Sequence, residues 1–290
     1  MEAGAIDVPM ASAYIHEVLP SLSVSFKLSS PLKVLGRIFA DRPWSVGGEL
    51  GKNASMIPVD ITVIDGQRHF RKDFSSQVIN HPNLSSDLIS AIIMSAMDAS
   101  FQSTDPYIVN LKSQIKIKDG RLLEREDSFA SFASASSGLS ILGLKFFSDP
   151  VVNYVDSIVS RIYNNEEVES VKLTITFNVG KNTTALKRVI AEDPVVEPGE
   201  KVRFTCVLSP YNKKRYTETF EFEVPRDLPD GEYMVGVTGG SSYDGLRKIM
   251  KLFDPPTKNL DQELDRILED PHSNELIALL ALPDQAVHIN

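Results

Sequence analysis

The residues closest to a serine-hydrolase pattern lie in the segment Val237-Thr238-Gly239-Gly240-Ser241-Ser242. Acyl transfer by a serine needs a nucleophile on a tight turn, a base that takes its proton and a third group that orients the base. The turn that carries this nucleophile in many hydrolases has the spacing Gly-x-Ser-x-Gly, which this segment lacks. A Gly/Ser-rich stretch after a strand is also typical of an exit loop. The sequence therefore identifies no catalytic residue.

The histidines and carboxylates show no spacing that indicates a metal or an acid–base site. Zinc-type histidine pairs lie within about five residues of each other, and no two histidines of this chain do. Neighbouring carboxylates such as Glu166-Glu167, or Glu221 with Glu223, are common on solvent-exposed faces, and a cleft is needed before they can be assigned chemistry. We predict no metal site and no cofactor.

Two side chains near a glycine-rich stretch are predicted to bind a partner. Gly47-Gly48-Glu49-Leu50-Gly51 has neither of the glycine spacings of nucleotide-binding loops, so it favours a sharp corner in a β region. Arg42 and Trp44 lie just before it, and these residue types carry much of the binding energy of protein interfaces. We predict Arg42 and Trp44 as interface residues, although a lone tryptophan is more often a core residue.

Composition and charge argue against some classes of function. The chain has 290 residues, of which 42% are hydrophobic and 24% charged, as in ordinary globular proteins. Its net charge of −9 argues against nucleic-acid binding, which needs a basic face, and the basic run Lys213-Lys214-Arg215 is interpreted as a solvated hairpin tip. Cys206 lies in an alternating stretch and is predicted to be a buried, unreactive thiol. No apolar run is long enough to span a bilayer.

The first part of the chain predicts strands with packed helices. A short helix is predicted over residues 10–20 and β structure over residues 22–75. A wide apolar stripe predicts a helix over residues 85–100, and alternation with a hairpin signal at Asp119-Gly120 predicts a strand over 108–117. Two further helices are predicted over 128–147 and 150–164. We place the first domain, a mixed β/α unit, at residues 1–165.

The second part of the chain has the pattern of a β-sandwich. Apolar and polar residues alternate along residues 202–208 and 220–224, and turn signals stand at residues 197–200 and 228–232. This pattern predicts an immunoglobulin-like β-sandwich over residues 168–245. A helical or mixed appendage is predicted over 246–290, with Asn259 as a helix cap. The predicted fold class is therefore α+β: a β-rich N-terminal domain with packed helices, an immunoglobulin-like sandwich and a short tail.

Several short segments stand in a characteristic order along the chain. They are Pro31-Leu32, Asp41-Arg42, Met56-Ile57-Pro58-Val59, His81-Pro82, Pro198-Gly199, Pro210-Tyr211, Leu228-Pro229-Asp230-Gly231, Gly239-Gly240 and Asn259-Leu260-Asp261-Gln262. This order resembles the region downstream of the catalytic domain in bacterial proteins of the SpoIVB-type serine peptidase family. The resemblance covers residues from about 20 to 282. The nucleophile motif of that family, which is similar to Gly-Met-Ser-Gly-Ser-Pro, is absent from the chain.

The resemblance implies a non-catalytic companion region of an exported bacterial peptidase-like protein, periplasmic or at the cell surface. Such a region would bind or scaffold by docking on a peptidase domain, or by presenting it, and that domain could lie in cis in a longer chain. The start of the sequence has no cationic segment, so no signal peptide is predicted, and we expect a fragment of a longer polypeptide. A serine hydrolase whose triad is assembled from dispersed residues stays open as the alternative.

Overall fold

The computed structural model describes residues 5–20, 25–67, 70–100, 107–131, 151–159, 167–180, 183–193, 195–250, 252, 257–281 and 286–289. Within these ranges the strands form separate sheets, and helices pack on them. The fold is therefore α+β and rich in strands, as predicted. The helix predicted over residues 128–147 is wrong at its start, because residues 128–131 end a strand that pairs with the preceding one, and its other residues lie outside the described ranges. Residues 151–159 are helical, as predicted for 150–164, and the end of that prediction lies outside the described ranges.

The first three strands form an antiparallel sheet, which we call the ribbon sheet. They are β1 (Ala5–Leu19), β2 (Phe26–Arg42) and β3 (Ser45–Leu50), in the order β1-β2-β3. The helix predicted over residues 10–20 is therefore wrong. That stretch pairs with β2 along its length, from Ala5 opposite Ala40 to Leu19 opposite Phe26. The hydrogen bonds of this ladder outweigh the weak helical preference of the local sequence.

Five strands form the central sheet, in the order β5-β4-β8-β6-β7. They are β4 (Met56–Asp65), β5 (Phe70–Ile79), β6 (Tyr107–Ile117), β7 (Leu122–Ser131) and β8 (Val168–Val179). β4 and β8 are parallel, and the other neighbours are antiparallel. β8, which the sequence analysis placed at the start of the sandwich, lies in the middle of this sheet. Its alternate residues are buried and pack with the strands before residue 165, which explains its place.

Helices cover one face of the central sheet. The helices of the described chain are α1 (Ser85–Asp98), α2 (residues 151–159), α3 (Tyr243–Ile249) and α4 (Leu260–Glu269). α1, α2 and α4 contribute buried residues to one core with the alternate positions of the strands, for example Ile61 and Ile175. The helix predicted over 85–100 is confirmed by α1. Asn259 caps α4 as predicted, since its side chain accepts a hydrogen bond from the Gln262 amide at 2.9 Å.

Two smaller sheets follow. Their strands are β9 (Thr184–Ala191), β10 (Lys201–Pro210), β11 (Tyr216–Glu223), β12 (Met234–Gly239), β13 (Leu276–Ala281) and β14 (Ala286–Ile289), in the orders β11-β10-β9 and β12-β13-β14. Phe204 and Phe222 stack at 5.6 Å between ring centroids and pack in one cluster with Leu280 of β13. After residue 246, α4 joins the central core while β13 pairs with β12.

Candidate functional site

The predicted interface residues Arg42 and Trp44 lie at the corner between β2 and β3. Arg42 is the last residue of β2, and Trp44 lies in the turn that follows it. The Trp44 side chain is 95% exposed, so it is not a core residue. An exposed tryptophan presents a large apolar area at low cost in conformational entropy on binding. The structure therefore places both residues on a surface that a partner can reach.

Beyond this corner, β1 and β2 continue as a two-stranded ribbon whose side chains are almost all exposed. The ribbon consists of residues 13–19 of β1 and 26–35 of β2. In a strand, alternate side chains share a face, and cross-strand partners lie on the same face. By this rule one face of the ribbon collects six exposed apolar side chains. We call this surface the apolar ribbon face: Tyr14, Leu19, Phe26, Leu28, Leu32 and Val34.

The apolar ribbon face is large for a monomer surface. Its side chains are between 44% and 70% exposed. At about 100 Å² each, they present on the order of 600 Å² of surface, at the upper end of the largest apolar patch of a typical monomer. Patches of this size are typical of interaction sites. Among the residues that the structure describes, no element packs over this face.

Charge pairs hold the three strands of the ribbon sheet together at its base, and a hydrogen bond joins this base to the residue before β4. The Asp7 carboxylate accepts a hydrogen bond from the Ser55 amide at 2.8 Å, and Arg37 lies 3.4 Å from Asp7 and 3.3 Å from Glu49. The hydrogen bond from Lys52, and then that from Arg37, holds the pKa of Glu49 below its usual value against partial desolvation. The base of the ribbon is therefore anchored, while residues 13–19 and 26–35 project from it.

A glycine allows β2 and β3 to approach closely at this base. A Cβ atom on Gly36 would lie 2.0 Å from the Glu49 carbonyl oxygen, which is far inside van der Waals contact. Gly36 pairs with Leu50 in the ladder. The glycine is therefore required by packing, and it sets the position at which the sheet narrows from three strands to two.

A second candidate region is a polar cleft of about 470 Å³ between β7, α2, the start of α3 and the end of α4. Its centre is Arg125, which is buried on β7. The guanidinium donates to the carbonyl oxygens of Ile267 at 2.6 Å, Asp270 at 2.8 Å and Pro271 at 2.8 Å, and its Nε donates to Asp127 at 3.0 Å. Arg125 therefore satisfies the carbonyl groups at the end of α4, which otherwise lack partners in a helix.

The groups around Asp127 complete this network. The Tyr154 hydroxyl donates to Asp127 at 3.5 Å, and burial, assisted by the charge of Asp127, raises the pKa of Tyr154 well above its usual value. His272 lies 3.8 Å from Asp127, and its Nδ1 is 2.8 Å from the Glu126 carbonyl oxygen. The Ser273 hydroxyl donates to the Ser128 carbonyl oxygen at 2.6 Å. These groups are engaged in joining the chain after α4 to β7.

Within the described ranges, neither Ser241 nor Ser242 has a hydrogen bond to a base that could activate it as a nucleophile. Ser241 lines the cleft from a short 3-10 turn, Gly240–Ser242, at the start of α3. A serine hydroxyl does meet an imidazole elsewhere, at Ser30 and His16, 2.7 Å apart. Both are exposed on the ribbon, and the neighbour of the imidazole is the ring of Tyr14. In the part of the chain that the structure describes, no carboxylate is hydrogen-bonded to this imidazole, whereas a triad requires such an orienting group.

The cysteine and the basic run named from the sequence lie where they were predicted to lie. Cys206 is buried on β10 as predicted, and burial raises the pKa of its thiol. The run Lys213-Lys214-Arg215 is exposed at the tip of the hairpin between β10 and β11, also as predicted. Among the described residues, no group of three or more His, Cys, Asp or Glu side chains is arranged to hold a metal ion. No helix in the described part of the chain is long and apolar enough to cross a membrane.

In comparisons with known proteins, no family model, no curated protein and no solved structure matches this chain. The resemblance to the SpoIVB-type family therefore stays a prediction from the sequence.

Sequence reasoning missed the apolar ribbon face and the Arg125–Asp127 network. Both left a signal. The alternation of Phe26 and Leu28 with Lys27 was visible, but nothing in it shows whether the apolar face is covered. Arg125 and Asp127 stand at alternate positions between Leu123 and Phe129, so two charged residues share the face of two apolar ones. Such an exception on a buried face indicates a paired, buried ion site.

Proposed function

We propose that this chain is a non-catalytic binding or scaffolding region that docks on a peptidase domain, or presents it, in an exported bacterial protein of the SpoIVB type. The observation that carries the proposal is the apolar ribbon face, which is exposed and anchored at its base. The resemblance supplies the partner class, since the companion of such a region is a serine peptidase domain.

The size of the surface supports a specific docking event. Stable interfaces bury about 800 Å² on each partner, with an apolar centre and a polar rim. The apolar ribbon face, at on the order of 600 Å², has the dimensions of such a centre. Polar groups are interleaved within the same face: Ser30 stands between Leu28 and Leu32 opposite Tyr14, and Glu17 pairs with Leu28. Arg42 and Trp44 stand at the other end of β2.

The packed sheets β9–β11 and β12–β14 support a scaffolding role. We propose that they form an immunoglobulin-like sandwich, in which β9 to β12 come from the predicted range 168–245 and β13 and β14 from the predicted tail. Their shared cluster around Phe204, Phe222 and Leu280 packs the two sheets against each other. Packed sheets of this kind supply a framework on which a presenting module can be built.

Co-purification tests the proposal. The full chain is co-expressed with the peptidase domain of a SpoIVB-type protein, and complex formation is measured by co-elution and by calorimetry. We expect association in the micromolar range or tighter. If the two proteins do not associate at about 100 µM, their binding free energy is weaker than about 5 kcal/mol. That result would overturn the proposal.

A pair of variants locates the surface. Phe26→Ser with Leu32→Ser removes two side chains of the apolar ribbon face, and we expect binding to weaken by at least about tenfold, because buried apolar anchors dominate interface energies. Lys27→Ser with Lys33→Ser changes the opposite face of the same strand and serves as the matched control. Equal effects of the two double variants would contradict docking through the apolar ribbon face.

A further inference from the structure

A groove of about 570 Å³ runs between β5 and α1, away from the ribbon and the polar cleft. Its floor is mostly apolar: Phe74, Val78, Ile92 and Ala96 belong to it, and the polar Ser76 stands between Phe74 and Val78 on β5. The wall on the side of α1 consists of Leu88 and three small residues. These are Ala91, Ser95 and Ala99, which recur at every fourth position. Small side chains at this spacing keep the groove open along the whole helix.

The other wall of the groove is the edge of a sheet. β5 is the first strand in the order of the central sheet, and in the described part of the chain it pairs only with β4. Alternate residues of such an edge direct their N–H and C=O groups away from the sheet, and these groups can pair with one more strand. The groove therefore offers backbone hydrogen bonds along one side and an apolar floor beneath.

The charges at the groove favour a ligand that carries a carboxylate at one end. The residues that line it are uncharged. Lys72 stands at one end, on the helix-facing side of β5, because its ladder partner Val63 is buried. Its Nζ lies 5.0 Å from the centre of the Phe74 ring and 3.5 Å from the Ala99 carbonyl oxygen. The ammonium has three donors, so donors remain for an incoming carboxylate.

From this geometry we propose that the groove binds the C-terminal tail of a partner protein as an added antiparallel strand. Alternate apolar side chains of the tail fill the floor between β5 and α1. An antiparallel strand on β5 ends beside Phe70, so its terminal carboxylate meets Lys72. Main-chain hydrogen bonds supply the affinity, and the apolar floor selects the side chains. The site is independent of docking by the apolar ribbon face.

Fluorescence anisotropy with the full chain tests the site. The probes are fluorescein-labelled hexapeptides with free C-terminal carboxylates, in which valine, leucine, isoleucine or phenylalanine occupies alternate positions and threonine the others. We expect binding in the micromolar range for part of the set. Amidation of the same C-terminus should weaken binding by about threefold, as expected for one exposed ion pair.

Variants separate the contributions. Ser95→Trp fills the groove and should weaken binding by at least about tenfold, which is the loss of one apolar anchor. Ser95→Ala leaves the groove open and should bind as the unaltered chain does. Lys72→Glu should remove the difference between the acid and the amide peptides, whereas Lys172→Glu, the same charge change on the exposed face of β8, should not. Circular dichroism verifies that each variant is folded.

The outcomes decide the proposal. If no peptide of the set binds at about 1 mM, the binding free energy is weaker than about 4 kcal/mol and the strand-addition site is overturned. Equal binding of the peptides to Ser95→Trp and Ser95→Ala would overturn it as well. Equal binding of acid and amide peptides would overturn the role of Lys72. Concentration-dependent self-association that Ser95→Trp abolishes would identify a second copy as the occupant and overturn the tail proposal. The Phe26→Ser with Leu32→Ser variant should bind the peptides normally, so this test is independent of peptidase docking.

Discussion

The central sheet and the ribbon sheet are built from similar alternating sequences, but only one of them has a core. In the central sheet every second residue of β4 is buried, as at Ile57, Val59 and Ile61, because α1, α2 and α4 cover that face. In the ribbon, Phe26, Leu28 and their neighbours alternate in the same way, yet they are exposed.

The difference lies in what packs on each sheet. Alternation specifies that a strand has two unlike faces, but it does not specify a covering layer. An isolated two-stranded ribbon is at most marginally stable in water. In this chain the base of the ribbon is joined to the residue before β4 by the hydrogen bond from the Ser55 amide to Asp7. A partner that covers the apolar ribbon face would provide the layer that the helices provide for the central sheet.

The largest effect is expected at Arg125, which links the central sheet to α4. Arg125→Ala leaves Asp127 buried without its counter-ion. It also removes the hydrogen-bond donors to the carbonyl groups of Ile267, in α4, and of Asp270 and Pro271, just after α4. We expect a loss of about 3–5 kcal/mol in the free energy of unfolding, measured by urea denaturation. Lys112→Ala breaks an exposed ion pair with Glu126 on the other face of the sheet and is the control. Equal effects would show that burial of the pair is unimportant.

A pair of truncations compares the two sheets directly. Ile175→Ala in the central core should cost about 3 kcal/mol, because it leaves a cavity. Leu32→Ala on the ribbon, where the side chain is 70% exposed, should change stability by less than about 0.5 kcal/mol. Urea denaturation of both variants measures the difference. A large loss for Leu32→Ala in the isolated chain would mean that the ribbon face is already covered.

Gly36→Ala tests the base of the ribbon sheet. The added methyl group would collide with the Glu49 carbonyl oxygen, so we expect β3 to separate from β2 at a cost of about 1–3 kcal/mol. Hydrogen exchange should become faster in β3 and stay slow in the central sheet. Gly245→Ala on α3 is the control, since a Cβ atom there meets nothing within 4 Å. Unchanged protection of β3 in Gly36→Ala would contradict the close approach.

The smallest effect is a pH dependence at Tyr154. Its pKa is raised in the folded state, so above about pH 10 the unfolded chain loses the phenolic proton first. The free energy of unfolding therefore falls as pH rises, by about 1 kcal/mol at pH 11 from this group. Tyr154→Phe should remove that part of the slope in denaturation curves between pH 9 and 11, whereas Tyr216→Phe on the exposed strand β11 should not. An identical slope in Tyr154→Phe and the unaltered chain would contradict the prediction.

Much of the local structure could be predicted from the sequence, and the errors have physical reasons. The stripe of α1, the cap at Asn259 and the burial of Cys206 depend on neighbouring residues, so local patterns were sufficient. The helix predicted over residues 10–20 failed because β1 is specified by pairing with β2, a contact between distant parts of the chain. The corner predicted at the glycine-rich residues 47–51 lies instead at Trp44, just before β3, and the exposure of Trp44 depends on what surrounds that turn.

The sequence alone determined the alternation of strand faces, the helical stripes, the turns and the absence of a recognisable nucleophile motif, because these depend on residue types a few positions apart. The tertiary structure decided the rest. It inserted β8 between β4 and β6 and buried Arg125 with Asp127. Among the described residues it also left the apolar ribbon face exposed and gave β5 only one strand partner, β4. These features depend on which distant segments meet, and many pairings of strands with the same period are compatible with one local pattern. Only the packing of the whole chain, which buries the most apolar surface with every buried charge paired, selects among them.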